Sequence, residues 1–247
     1  FAFKFRYFLF SFLCWQNTIP NWVRDHRVHH KFTETDADPH NAKRGFFFAH
    51  VGWLMQRKHP EVLRQGAKVN ISDVLADPVV QWHQRYFWPL KLIFALLVPL
   101  LIPVYCWNET WIISLSATLC RTVGLLNVTW LVNSAAHIYG SRPYDTQINA
   151  SENFFVSFLS IGEGWHNFHH TFPWDYKASE HTLFMNATTK WLDFFAKMGW
   201  AYDMRSTKPE MIRTVALHQG DGSHAMNAYA NEISYDEFQR KIKESDR

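Results

Sequence analysis

Cysteine is scarce in this chain. Cys14, Cys106 and Cys120 are the three in 247 residues, without paired spacing and with two in apolar runs, which argues against a disulfide framework and against a thiolate metal site. Any metal would then be held by imidazole. Charge of one sign is also lacking. The formal balance is +3, with no basic cluster and no nucleic-acid motif, so no nucleic-acid partner is expected. A mildly basic surface suits an anionic partner or a membrane face instead. The hydrolytic zinc pattern H-E-x-x-H is missing, as are low-complexity segments and internal repeats beyond one short doubled motif. There is no initiator methionine. The chain starts at Phe1 inside the apolar run FAFKFRYFLFSFLCW and reads as truncated at its N-terminus. No small-residue cleavage site follows that run, and its roughly 13 apolar-rich residues fall short of the ~20 that cross a bilayer. An interfacial or core helix is expected there, interrupted by Pro20.

Aromatic residues are in excess, at 17% with 12 Trp and 21 Phe. A mean hydropathy of −0.24 argues against a chain mostly embedded in lipid, so the two together predict membrane spans carrying a larger aqueous part. Tyr86–Trp107 has the length of a span, with Lys91 near one end able to snorkel and prolines that membrane helices tolerate. Asn108-Glu109-Thr110 is a tight turn, and Trp111–Tyr139 runs apolar again with Arg121 as its one charge. The turn carries no Lys or Arg. The positive-inside rule therefore puts both flanking segments in the cytosol. The expected fold is an all-α integral membrane protein: a transmembrane helical hairpin with a cytosolic helical cap. Its segments are 1–85, 86–139, 140–222 and a polar tail at 223–247, in which Ser234 to Glu237 forms a candidate capping box.

The doubled motif is H-x-x-H-H. Asp25 to Phe32 reads DHRVHHKF, with His26, His29 and His30; Glu163 to Pro173 reads EGWHNFHHTFP, with His166, His169 and His170. On a helix, i, i+3 and i+4 share a face, and the last two diverge enough around the axis for one segment to feed two neighbouring metal ions. A single copy fits a hydrogen-bonded histidine cluster as well as a metal site. Recurrence about 140 residues later favours metal, with two such helices facing each other as a two-metal box. Asn133 and His137 add an amide and an imidazole at i, i+4 near the end of the second span, where they either serve the site or cap the helix.

The remaining segments read as scaffold. Thr33–Arg44 is a polar loop in which His40 is an ordinary surface histidine. Arg57-Lys58-His59-Pro60 is a compact positive patch, a solvated helix end unless an anion binds it. A helix starts at Ser72 to Val74. Residues 140–147 form a turn, and Ser151–Ile161 an amphipathic helix leading to the second motif. Trp191, Phe194, Phe195 and Met198 fall at i, i+3, i+4, i+7, a core-packing face with Gly199 as C-cap.

Seven histidines in three groups suit iron, zinc, copper or nickel. A hydrolytic zinc site needs fewer ligands plus a general base. Two irons near a membrane have a better use for so many: holding O2 and cleaving an unactivated C–H bond, which side chains alone cannot do.

At these residues a resemblance becomes specific. DHRVHHKF, DADPHNAKRGFFFAHVGW, NVTWLVNSAAH, SRPYD and GEGWHNFHHTFPWDY resemble the membrane acyl-CoA desaturases of the endoplasmic reticulum, of the stearoyl-CoA Delta-9 or Delta-11 kind. The tryptophans of the last box look most like insect members, and the similarity runs nearly to Gly222. The resemblance implies four membrane helices under a cytosolic cap, of which this chain has the last two. It implies a di-iron centre that removes one hydrogen from each of two adjacent methylenes of a fatty acyl-CoA, with O2 as oxidant and electrons from cytochrome b5 and its reductase. By the same resemblance His26, His29, His30, His137, His166, His169 and His170 are metal ligands, and Asn133 reaches a metal through water. Arg24, Asp25, Arg57 and Lys58 contact the CoA part. Gln16, Trp22, Thr129 and Trp130 shape the acyl tunnel. The family's upstream H-x-x-x-x-H box has no match, so residues 1–247 alone are expected not to desaturate, and zinc can replace iron in recombinant material. A membrane lipid hydroxylase with the same histidines, and a non-catalytic lipid- or metal-binding membrane protein, are the alternatives.

Overall fold

A computed structural model describes residues 17–181 and 186–225. Gln16, the N-terminal apolar run and the capping box at Ser234 to Glu237 lie outside the described residues. In chain order the helices are α1 (Ile19–Phe32), α2 (Phe46–His50), α3 (Pro60–Gly66), α4 (Ser72–Leu75), α5 (Pro78–Trp107), α6 (Trp111–Asn133), α7 (Ala135–Ile138), α8 (Phe154–Ser160), α9 (His166–Thr171), α10 (Ala187–Lys197) and α11 (Pro209–Gln219). The described residues contain no β-strand beyond isolated bridges at Ser141, Glu152 and Trp165. The all-helical expectation therefore holds. Two compact units divide them, residues 17–135 with 187–203 and residues 136–186 with 204–225.

In the first unit, Pro20 stands in the first turn of α1. Its fixed φ suits the first turn, where its missing N–H costs nothing. Among the described residues, two helices are long and apolar enough to cross a membrane, Pro78–Trp107 and Trp111–Ile138. The first begins eight residues before the expected Tyr86. Asp77 caps it through its carboxylate, which accepts from the Val79 and Val80 amides at 2.8 and 3.4 Å, and Pro78 takes the first position, so the polar stretch before Tyr86 joins the same helix. A π-turn at Leu92–Leu97 lies between Pro89 and Pro99. Pro99 lacks an N–H and cannot serve the Ala95 carbonyl one turn back; Arg121 donates to that carbonyl at 2.7 Å. The one charge of α6 thus meets a backbone group that lipid would leave unsatisfied. Along α6, the hydroxyls of Thr118, Thr122 and Thr129 turn back one helical turn. They donate to the carbonyls of Ser114, Thr118 and Leu125 at 2.9, 2.8 and 3.0 Å.

One expectation in this unit is overturned. Trp191 and Phe194 of α10, and Met198 just past its end, are 59%, 49% and 44% exposed, while Leu192 is the buried residue. Periodicity identifies an apolar face correctly, but not what covers it. Gly199 does take a left-handed φ of 72° just past the helix, as a C-cap should.

In the second unit, Tyr144, Phe168 and Phe172 pack with Ile212 and Ala216 of α11. This core seats α9. Asn167, fully buried, uses its whole amide: Oδ1 accepts from the Tyr144 and Asp145 amides at 2.8 and 3.1 Å, and Nδ2 donates to the Asp145 and Ala150 carbonyls at 2.9 Å each. The expected helix over Ser151–Ile161 is confined to Phe154–Ser160, because Asn153 caps it by accepting from the Val156 amide at 3.0 Å.

Candidate metal centre

Both histidine motifs lie on helices, and each shows the same local geometry. In α1, His26 Nε2 and His30 Nε2 are 3.1 Å apart. In α9, His166 Nε2 and His170 Nε2 are also 3.1 Å apart. One helical turn separates each pair along the chain, which brings the two rings together edge to face. Imidazole nitrogens bound about 2.1 Å from one ion lie about 3 Å apart when they subtend close to a right angle. The donor sets therefore fit a divalent metal on an observed distance, not only by residue type.

In the first unit, His29 is buried and its Nδ1 lies 2.8 Å from Asp38 Oδ1. A carboxylate at Nδ1 fixes the tautomer and leaves Nε2 to act as a ligand. Asp38 is itself held by the amides of Glu34 at 2.8 Å and His40 at 2.9 Å. Burial alone would raise its carboxyl; His29, its hydrogen bond, His40 and the Glu34 amide outweigh that and bring it down to about 2. His40 is not the surface histidine expected. It is half-buried, its ring 4.4 Å from Trp53 and 5.4 Å from His29, and His29, Asp38 and His40 each offer a ligand atom within 4.8 Å of the others. Trp22 stacks on His26 at 4.4 Å.

In the second unit, His137 joins the pair, its ring 4.8 Å from His166 and 5.0 Å from His170. Donor atoms of the three lie within 4.8 Å of one another. His169 is half-buried, its ring 5.4 Å from that of His166. Behind α9, Glu152 Oε1 accepts from the Phe168 amide at 2.8 Å. Burial pushes the Glu152 carboxyl up to about 8, against the pull of the Phe168 and Asn167 amides.

This geometry sits in a chain whose residues 2–206 match the family model described as fatty acid desaturase. The chain belongs to the fatty acid desaturase family. It is 54% identical over 214 residues to an acyl-CoA Delta-9 desaturase of Acheta domesticus, covering 86% of this chain and 60% of that protein. It is 51% identical over 213 residues to an acyl-CoA Delta(11) desaturase of Spodoptera littoralis (86% and 63%), and 50% identical over 213 residues to acyl-CoA desaturase 3 of Mus musculus (86% and 59%). The chain thus spans about three fifths of the length of these curated relatives.

The other residues singled out in this desaturase-family chain fall into distinct places. Arg24, Asp25 and Lys58 form one ion cluster: Arg24 Nη2 is 3.3 Å from Asp25 Oδ1, and Lys58 Nζ pairs with Oδ2 of the same carboxylate. Arg57 is exposed and, with Lys58, Arg44, Trp53 and Phe48, lines an open cavity. Thr129 and Trp130 lie on the last turns of α6, which ends at the half-buried Asn133. His50 fastens that end, with Nδ1 3.0 Å from Ser134 Oγ and Nε2 3.1 Å from Asn127 Oδ1, its ring against Trp130. Sequence reasoning missed Asp38, His50 and Glu152. For Asp38 a signal existed, a carboxylate in the turn just after a histidine motif, since a ligating imidazole needs a partner at its second nitrogen.

Proposed function

We propose that the protein is an acyl-CoA desaturase of the endoplasmic reticulum membrane, inserting a cis double bond into a saturated fatty acyl-CoA. The observation that carries this reading is the pair of facing imidazole nitrogens at 3.1 Å, repeated in both motifs of a desaturase-family chain. The names of the relatives, acyl-CoA Delta-9 and Delta(11) desaturases, supply the substrate class.

His26, His29, His30, His137, His166, His169 and His170 would hold two irons, with Asn133 serving through water. Bound there, the irons supply the O2 chemistry that takes one hydrogen from each of two neighbouring methylenes. The balance closes with two electrons and two protons from outside: O2, the two substrate hydrogens and these together give two waters and the alkene. Cytochrome b5 and its reductase are the proposed electron donors. The protein's own residues position and exclude. Asp38 holds His29 in one tautomer, while Arg24 and Lys58, spread around Asp25, and the exposed Arg57 offer cations to the CoA phosphates. Trp22, Thr129 and Trp130, with Gln16, would line the acyl path. The basic character of the segments flanking the hairpin supports a cytosolic location for both motifs.

Expression of the full product of the gene in a desaturase-deficient host, followed by fatty-acid analysis, tests the reading. A new cis-unsaturated acid that depends on His30 and His170 supports it; hydroxylated product, or none from protein that accumulates in membranes, overturns it.

A further inference from the structure

Helix α8 is built the wrong way round for a helix in water. Val156 and Ser157 face inward at 1% and 0% exposure, while Phe154, Phe155 and Phe158 stand 62%, 62% and 67% exposed. The helix cannot roll to hide them. A Cβ on Gly164 would meet the Ser157 amide at 2.3 Å and the Asn153 carbonyl at 2.6 Å, so its inner face lies backbone-to-backbone on that glycine, and the Asn153 amide donates to the Gly164 carbonyl at 2.8 Å. At its C-terminal end, Ile161 takes φ 59°, a left-handed conformation strained for a β-branched residue and ordinarily left to glycine. Its side chain is 56% exposed, extending the same apolar face.

Hydrogen bonds within the second unit fix where this face lies along the chain's path out of the apolar helix Trp111–Ile138. Asn153 Nδ2 and Ser151 Oγ both donate to the carbonyl of Tyr139, each at 2.8 Å. The Ser151 amide donates to the Ala136 carbonyl at 2.7 Å. Tyr139 is the first residue beyond the apolar helix, exposed, and of a type enriched at membrane–water boundaries. The cap of α8 is thus one hydrogen bond from the point where that helix ends.

We infer that α8 lies in the membrane surface, with Phe154, Phe155, Phe158 and Ile161 buried among lipid at the boundary of headgroups and acyl chains. This rests on the reading that Trp111–Ile138 crosses the bilayer. The helix carries no lysine or arginine, so apolar burial rather than attraction to anionic lipid holds it, and zwitterionic lipid suffices.

The test uses the full chain in phosphatidylcholine vesicles, with Cys14, Cys106 and Cys120 replaced by serine and one environment-sensitive fluorophore at Phe158→Cys, Leu119→Cys or Gln147→Cys. Nitroxide lipids carry the quencher at a shallow or a deep acyl position. The Phe158 site is expected to lose about half its fluorescence to the shallow quencher and clearly less to the deep one, as befits a helix about 5–10 Å into the boundary. Leu119, mid-helix and 53% exposed, should show the reverse order, and Gln147 little quenching. Quenching at Leu119 without quenching at Phe158 overturns the proposal while leaving the span intact. No quenching at Leu119 overturns the span, and the proposal with it. Deep exceeding shallow at Phe158 also overturns it. Phe155→Cys repeats the measurement if Phe158→Cys fails to insert.

Discussion

The two histidine motifs share a spacing and a nitrogen–nitrogen distance of 3.1 Å, yet their supports differ in kind. The α1 motif is braced by charge: Asp38, a carboxylate held down to about 2, grips His29 directly. The α9 motif is braced by neutral groups, with the Asn167 amide fixing the helix and a Glu152 whose burial favours its protonated form. One support orients a candidate ligand; the other positions a helix. Identical ligand geometry can therefore respond to mutation and pH in opposite ways.

The largest expected effect tests what the motifs have in common. His30→Ala and His170→Ala each remove one nitrogen of a facing pair, and both should reduce unsaturated product by more than the ~10–100-fold typical of losing an outer partner of a ligand. Fatty-acid analysis at matched protein level in membranes checks this. A severe loss from one and near-normal product from the other would end the equivalence.

Next in size are the supports themselves. Asp38→Ala should lower bound metal and activity by ~10–100-fold. Asn167→Ala strands the buried Tyr144 amide and Ala150 carbonyl, each costing about 1–3 kcal/mol, and removes the partner of the half-buried Asp145 amide and carbonyl, against a total stability of about 5–15 kcal/mol, so its main effect should be poor accumulation and a lower Tm. Metal content and thermal unfolding of both variants separate the two. A Tm loss from Asp38→Ala as large as that from Asn167→Ala would erase the distinction.

The pH responses have opposite signs. Glu152 sits near 8 in the fold against 4.5 outside it, so the folded state holds the proton more tightly and stability falls as pH rises from about 4.5 to about 8. Asp38 is lowered from 3.8 to about 2, so its stabilisation is present above about 4 and is lost as pH falls toward 2. Thermal unfolding over a pH series should show Glu152→Gln flattening the neutral limb and leaving the acid limb intact.

The smallest effect concerns whether the two motifs share a compartment. Asn149 and Asn186 both stand in N-x-S/T sequons, but Asn186 is 4% exposed and donates to the Lys177 carbonyl at 2.6 Å, so it should remain unmodified on either side of a membrane. Asn149 is the informative site. Mass spectrometry should find it bare, and a glycan there would overturn the cytosolic assignment.

Much of this protein is legible from local pattern. Helical histidine faces follow from i, i+4 spacing, and the two long helices follow from apolar runs interrupted by Asn108-Glu109-Thr110, because both signals are confined to neighbours along the chain. The same locality explains the errors. Hydropathy misplaces the start of α5 because Gln81, His83, Gln84 and Arg85 interrupt the apolar run in a helix that Asp77 and Pro78 have already begun, and it assigns the apolar face of α10 to a core because amphipathicity marks a face without naming its partner. Only the folded chain brings Asp38 to His29, Arg121 to the carbonyl that Pro99 leaves unserved, and Asn153 to Tyr139. These contacts depend on how loops return in three dimensions, and the demand they answer, that a buried polar group find a partner, is met by whichever residue the fold brings near. Sequence alone marked the candidate histidines and the two long apolar helices; tertiary structure decided what holds them.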